Sequence, residues 1–168
     1  MGMEWSMSKR GFLRNLIGGG AAGLLAASCG NRAPAEAAER FEVNLTPAQW
    51  KARLTPAQYR VLREAKTERA GSSPLDKEYR RGIFACAGCK LPVYDSSAKF
   101  DSGTGWPSFT APIRGAVRTR PDPSLFGTQT EVHCRRCGGH LGHVFDDGPP
   151  PTGKRYCMNG VAMTFIAA

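Results

Sequence analysis

The chain has 168 residues, with 23 Lys and Arg against 14 Asp and Glu and a formal net charge of +9. Its composition, 41% hydrophobic and 22% charged, excludes collagenous, coiled-coil and wholly disordered classes. No apolar run approaches the roughly 20 residues of a spanning helix, which excludes a polytopic membrane protein. The basic residues between Lys51 and Arg155 form no long block. They read as a solvated exterior, and no nucleic-acid partner is expected.

Residues 1–30 read as an export leader. Ser8-Lys9-Arg10-Gly11-Phe12-Leu13-Arg14 is a basic stretch, and a short Gly- and Ala-rich apolar run follows over residues 16–27. The segment resembles a twin-arginine signal, with Lys9-Arg10 where two arginines are usual. Cys29 follows Leu25-Ala26-Ala27-Ser28, which resembles a lipoprotein cleavage site. The alternative is an ordinary signal-peptidase site with Cys29 removed or unused. The expectation is an exported, periplasmic bacterial protein. Membrane attachment would run only through a lipidated Cys29. Residues 31–44 are expected as a linker and 45–168 as the folded domain.

That domain opens with an internal echo, Leu45-Thr46-Pro47-Ala48-Gln49-Trp50 and then Leu54-Thr55-Pro56-Ala57-Gln58-Tyr59. In each copy the Thr caps a helix, the Pro takes the first helical position, and the Gln completes a capping box. Pro56 disfavours helix at Thr55, so two short helices are expected. Trp50, Leu54, Tyr59 and Leu62 are placed as core anchors. After Gly71 short β-prone runs appear at residues 83–85, 92–94, 116–119, 130–133, 143–145 and 161–166, separated by Gly, Pro, Asp and Ser. The expected fold is mainly β, two antiparallel sheets or a partly closed barrel, with the short helices N-terminal.

Six cysteines are too dilute for a small disulfide scaffold, so their spacing carries the meaning. Cys86-Ala87-Gly88-Cys89 and Cys134-Arg135-Arg136-Cys137 are two Cys-x-x-Cys pairs. Each can bite one ion from a tight turn, and together they close a tetrahedron. The spacing predicts one structural Zn²⁺ held by Cys86, Cys89, Cys134 and Cys137, tying distant hairpins together. The alternatives are disulfides, which export would permit, and redox dithiols. Neither pair opens a helix after a strand, as a thioredoxin-like site would.

Cys157 remains. Arg155 lies two residues back in a β-prone stretch and shares its sheet face, so a cation favours the thiolate there. Asn159 points the same way. Upstream, His140-Leu141-Gly142-His143-Val144-Phe145-Asp146-Asp147 supplies two imidazoles and two carboxylates. A cysteine nucleophile, a histidine acid and an orienting carboxylate form a sufficient catalytic set.

Taken together, Cys86-x-x-Cys89, Gly105-Trp106-Pro107-Ser108-Phe109, Cys134-x-x-Cys137, His140-Leu141-Gly142-His143-Val144-Phe145, Pro151-Thr152-Gly153 and Arg155-Tyr156-Cys157-x-Asn159 resemble the methionine sulfoxide reductase B family over residues 45–166. The resemblance implies repair of oxidatively damaged proteins by thiol-dependent reduction of the R epimer of methionine sulfoxide, with a structural zinc. It implies Cys157 as nucleophile, with His143, His140, Asp147, Arg155 and Asn159 on the polar side of the pocket. Trp106 would pack on the substrate's methyl group, with Phe109 and Phe145 as further substrate-binding residues. Many members carry a resolving cysteine where this chain has Thr104, so a thioredoxin-like or other external thiol is the expected reductant. Gly160 stands where Ser is common in the family. A zinc-stapled β module that binds without catalysis is the alternative.

Overall fold

The computed structural model describes residues 39–124 and 127–168, so the leader and Cys29 lie outside the described residues. Both capping boxes form as the Thr-Pro-x-Gln repeat dictates. Helix α1 (Pro47–Arg53) is capped by Thr46 and α2 (Pro56–Glu64) by Thr55. Their apolar faces bury Trp50, Val61 and Leu62, and Leu54 between the helices is also buried.

Among the described residues nine strands follow: β1 (Gly82–Cys86), β2 (Pro92–Asp95), β3 (Lys99–Phe100), β4 (Ser108–Phe109), β5 (Val117–Ser124), β6 (Gly127–Cys134), β7 (His140–Phe145), β8 (Arg155–Met158) and β9 (Met163–Ala167). They make two antiparallel sheets, β2-β1-β9 and β3-β4-β8-β7-β6-β5. Neither closes into a barrel. Strand β5 runs past the expected 116–119 because it lies at the sheet edge, where Pro121 and Pro123 need not donate to a further strand.

The core between the sheets is aromatic. Phe109 of β4 is fully buried, stacked on Tyr94 with centroids 4.3 Å apart and edge-on to Phe84 at 5.0 Å. The expectation that Phe109 contacts substrate is therefore corrected: its ring faces the opposite side of the sheet from Cys157, which pairs with its neighbour Ser108. Burial of this kind is worth several kcal/mol per ring, and the core takes it.

The fold also begins earlier than expected. Residues 39–43 dock on the domain rather than form a free linker. Val43 N–H donates to the Arg136 carbonyl at 2.9 Å, and Glu39 accepts from Arg118 at 2.7 Å and contacts His133 Nε2 at 2.9 Å.

Two local features set up the centre of the large sheet. The register of β7 on β6 shifts between Val132 and His133, which leaves Leu141 as an extra residue. Residues 140 and 143 would face opposite sides of a regular strand; the bulge turns both imidazoles to one face. Their rings sit 5.2 Å apart. Strand β8 then lies very close to β7 at Gly142. A Cβ there would overlap the Cys157 carbonyl oxygen and come within 2.9 Å of Met158 Cα. The Gly142→Ala variant should lose roughly 1–3 kcal/mol or more of stability through overpacking. Urea unfolding checks this, with Gly153→Ala as the comparison: a Cβ there meets nothing within 4 Å, so that variant carries only the strain of its φ of +67° and no overpacking.

Candidate active site

Cys157 sits on β8, flanked by β7 and β4. It lies directly opposite His143 on one side and Ser108 on the other. A cavity of about 230 Å³ opens beside it, lined by Thr67, Trp106, Gln129, Gly142, His143, Phe145, Cys157, Met158 and Asn159. Trp106, His143, Phe145, Cys157 and Asn159 are thus brought together around one cavity. A larger depression of about 660 Å³ behind α2 contains neither cysteine nor histidine.

Arg155 stands two residues before Cys157 on β8, on the same sheet face. Its guanidinium is gripped bidentately by Asp147, at 2.9 and 2.8 Å, and lies 4.5 Å from the Phe145 ring centre. The Asp147 carboxylate, and beyond it the Cys157 sulfur, raise the Arg155 pKa against the effect of burial. Asp147 therefore orients the arginine and not a histidine. Asp146 is exposed and pairs with Lys154.

The carboxylates that hold the imidazoles come from the β5–β6 hairpin instead, and sequence reasoning missed both. Asp122 Oδ2 lies 2.7 Å from His143 Nε2. Glu131 Oε1 lies 2.9 Å from His140 Nδ1, and Arg120 pairs with the same carboxylate. His140 is buried behind His143 and does not line the cavity; its Nε2 has no hydrogen-bond partner. Burial alone would push the Glu131 carboxyl up. Hydrogen bonds from His140 and Arg120 outweigh it and hold the pKa at about 2. Only strand pairing shows these partners; Glu131 looks, in the sequence, like any polar residue of an alternating strand.

Asn159 borders the cavity, yet its amide is committed to backbone. Its Oδ1 accepts from Glu68 N–H at 2.9 Å and its Nδ2 donates to the Leu141 carbonyl at 3.2 Å. Thr104 occupies the expected place: its Oγ1 is 3.9 Å from the Cys157 sulfur. Ser102 links Thr104 to Ser108 through hydroxyl contacts of 2.8 and 2.7 Å.

Away from this cavity, the four paired cysteines converge. Their sulfurs all lie within 4.8 Å of one another, with Cys86–Cys137 at 3.7 Å and Cys89–Cys134 at 3.5 Å. A disulfide would need about 2.05 Å. A tetrahedral tetrathiolate with metal–sulfur bonds of about 2.3 Å has sulfur edges of about 3.8 Å, which this set fits. The two turns are built alike. Cys86 N–H bonds Leu91 O and Lys90 N–H bonds Cys86 O, both at 2.8 Å; Cys134 N–H bonds Gly139 O at 2.9 Å and Gly138 N–H bonds Cys134 O at 2.8 Å. The left-handed corner is Lys90 in one and Gly138 in the other, where a Cβ would press on the Phe41 ring at 2.5 Å. Sulfur contacts with Cys134, Cys137 and Cys89, together with burial, push the Cys86 thiol well up. Four buried thiolates need a cation, so the cluster can hold a metal ion.

The described cysteines therefore divide into four spent on one closed cluster and a single one, Cys157, facing a cavity beside an imidazole and an indole. This separation of one free sulfur from four clustered ones suits a thiol-based oxidoreductase. The SelR domain model matches residues 54–167, and the chain belongs to that family, methionine sulfoxide reductase B. A peptide methionine sulfoxide reductase MsrB of Thiobacillus denitrificans is 53% identical over 121 residues, covering 71% of this chain and 92% of that protein. One of Agrobacterium fabrum is 49% identical, over 74% of this chain and 93% of the relative. The chloroplastic peptide methionine sulfoxide reductase B1 of Arabidopsis thaliana is 49% identical, over 79% and 66%.

The buried carboxylate gives a pH prediction. An ordinary glutamate titrates near 4.5 and Glu131 at about 2 in the fold. Its stabilising contribution is complete above about 4.5 and is lost as the pH falls towards 2. Glu131→Gln should be less stable than the parent at pH 7, and the gap should narrow steadily between pH 4.5 and 2 in urea unfolding.

Proposed function

We propose that this protein reduces the R epimer of methionine sulfoxide in peptides and proteins, with Cys157 as nucleophile and an external thiol as reductant. The reading is carried by Cys157 facing His143 in a cavity walled by Trp106. The substrate's methyl group packs on the Trp106 and Phe145 rings, where an apolar group is favoured over water. Arg155 supports the Cys157 thiolate, which attacks the sulfoxide sulfur. Protonated His143, oriented by Asp122, gives its proton to the sulfoxide oxygen as negative charge develops there. Such acid catalysis contributes about 10²–10⁴-fold. His140, locked by Glu131, packs edge-on against His143 and positions it. The S–O bond then breaks, the hydroxyl passes to the Cys157 sulfur, and methionine leaves. The products are methionine and a Cys157 sulfenic acid.

No second cysteine among the described residues is available to resolve that sulfenic acid, since the other four form the cluster. Two equivalents of an outside thiol return Cys157 to the thiol, releasing water and a disulfide of the reductant. A thioredoxin-like protein or a small thiol would serve. The cluster's ion is Zn²⁺, which four thiolates in tetrahedral array suit and which supplies cross-linking rather than chemistry. Residues 1–30 act as an export leader, placing the enzyme in the periplasm, with Cys29 as the one route to lipid anchoring.

Single turnover without added thiol tests the cycle. The expected result is one methionine released per chain and an intact mass increased by one oxygen. An internal disulfide to Cys157 would overturn the one-cysteine cycle. In Thr104→Cys the same experiment should yield that disulfide, because Thr104 Oγ1 already lies 3.9 Å from the sulfur.

A further inference from the structure

Three segments that no local sequence pattern connects meet at Glu68. Its N–H donates to Asn159 Oδ1 at 2.9 Å. Its carbonyl accepts from Trp106 Nε1 at 3.1 Å. Its carboxylate accepts from the N–H groups of Gly160 and Val161, the latter at 3.2 Å. The last two open the 3₁₀ turn directly after Asn159, two residues beyond Cys157. A second tie joins the same loops: Gly71 N–H donates to the Gly105 carbonyl at 2.7 Å, and a Cβ at Gly105, φ +84°, would come within 2.9 Å of Gly71 N. Ser73 packs against the turn as well. A Cβ on Gly160 would overlap Ser73 Oγ, so glycine at 160 is matched to this packing.

We propose that Glu68 is a positioning residue for the reaction. It clasps the indole wall, Trp106, to the Asn159–Val161 turn behind Cys157, and so fixes the width of the pocket that receives the sulfoxide. This inference rests on the reductase reading above. Trp106 is joined to the large sheet through Pro107 and Ser108, and Glu68 ties its indole nitrogen from the other side. Asn159, whose amide is spent on Glu68 and Leu141, acts in the same clasp rather than on substrate. Burial raises the Glu68 carboxyl pKa, against the two backbone N–H bonds that lower it. The group is held where solvation is poor, and its two N–H partners have no obvious substitute.

Glu68→Ala removes the carboxylate and leaves two backbone N–H groups unmatched. Glu68→Gln keeps one acceptor oxygen. The full-length, metal-loaded proteins are assayed for kcat and KM on an R-sulfoxide peptide. Cys157 alkylation is measured with iodoacetamide and with a bulky apolar maleimide. Expected for Glu68→Ala is a loss of about tenfold in kcat/KM, chiefly as a higher KM. The iodoacetamide rate should stay unchanged, and the bulky-to-small rate ratio should shift, because the segment whose backbone carbonyl holds the indole is no longer pinned to the 160–161 turn. Glu68→Gln should recover part of the loss; if the alanine variant does not fold, the glutamine variant carries the test. Parental kcat/KM and an unchanged ratio in Glu68→Ala would overturn the proposal. So would equal losses of metal, alkylation and turnover in both variants, which mark general destabilisation. An inactive parent protein would sink the reductase reading alone, with the alkylation ratio still deciding on Glu68.

Discussion

Strand β8 can lie against β7 only because residue 142 has no side chain. That close approach sets Cys157 opposite His143 and brings Asn159 under the Leu141 carbonyl, where its N–H bonds at 2.8 Å. The bulge at Leu141, one residue earlier, turns His140 onto the same face. Cys157 and His143 are thus brought together by backbone pairing, which is stiff, rather than by a loop, which is not. The cysteine cluster anchors the arrangement from one end. Its second turn joins β6 to β7 and its first joins β1 to β2, so an ion there binds the small sheet to the strand that carries both imidazoles.

Charge is organised around this centre in separate sets. On the hairpin side, Asp122 holds His143, while Arg120 and Glu131 hold His140. On the strand's other end, Asp147 holds Arg155 beside the sulfur. His143 and Arg155 therefore have different carboxylate partners. Each can be oriented without competing for the other's counter-charge. The pocket between them is walled by the apolar faces of Trp106 and Phe145. Asn159, which also borders it, has its amide already bonded within the protein.

Much of this was legible in the sequence because the signals are local. The Thr-Pro-x-Gln repeat gives both capping boxes within four residues each. The Cys-x-x-Cys turns declare themselves by spacing, and Arg155 and Cys157 share a strand face by simple alternation. What was not legible depends on pairing across long separations. Asp122 and Glu131 meet their histidines only through the β5–β6–β7 register, so the nearer Asp147 was the natural choice of carboxylate. Phe109 follows a motif that forms the site, but the pleat turns it into the core. Glu68 belongs to an irregular segment whose contacts are largely backbone, and backbone contacts leave no mark in residue type. The early docking of residues 39–43 was hidden by a small, polar composition that also suits a linker.

Rates of reduction for the two resolved epimers of a methionine sulfoxide peptide, with dithiothreitol as reductant, test the assignment most directly. The parent protein and Cys157→Ser would run side by side, both carrying metal. Turnover of the R epimer alone, absent in the serine variant, is the result expected if Cys157 does the chemistry. Equal turnover by Cys157→Ser, or none of either epimer by the folded parent, would contradict it and favour a β module that binds without reacting.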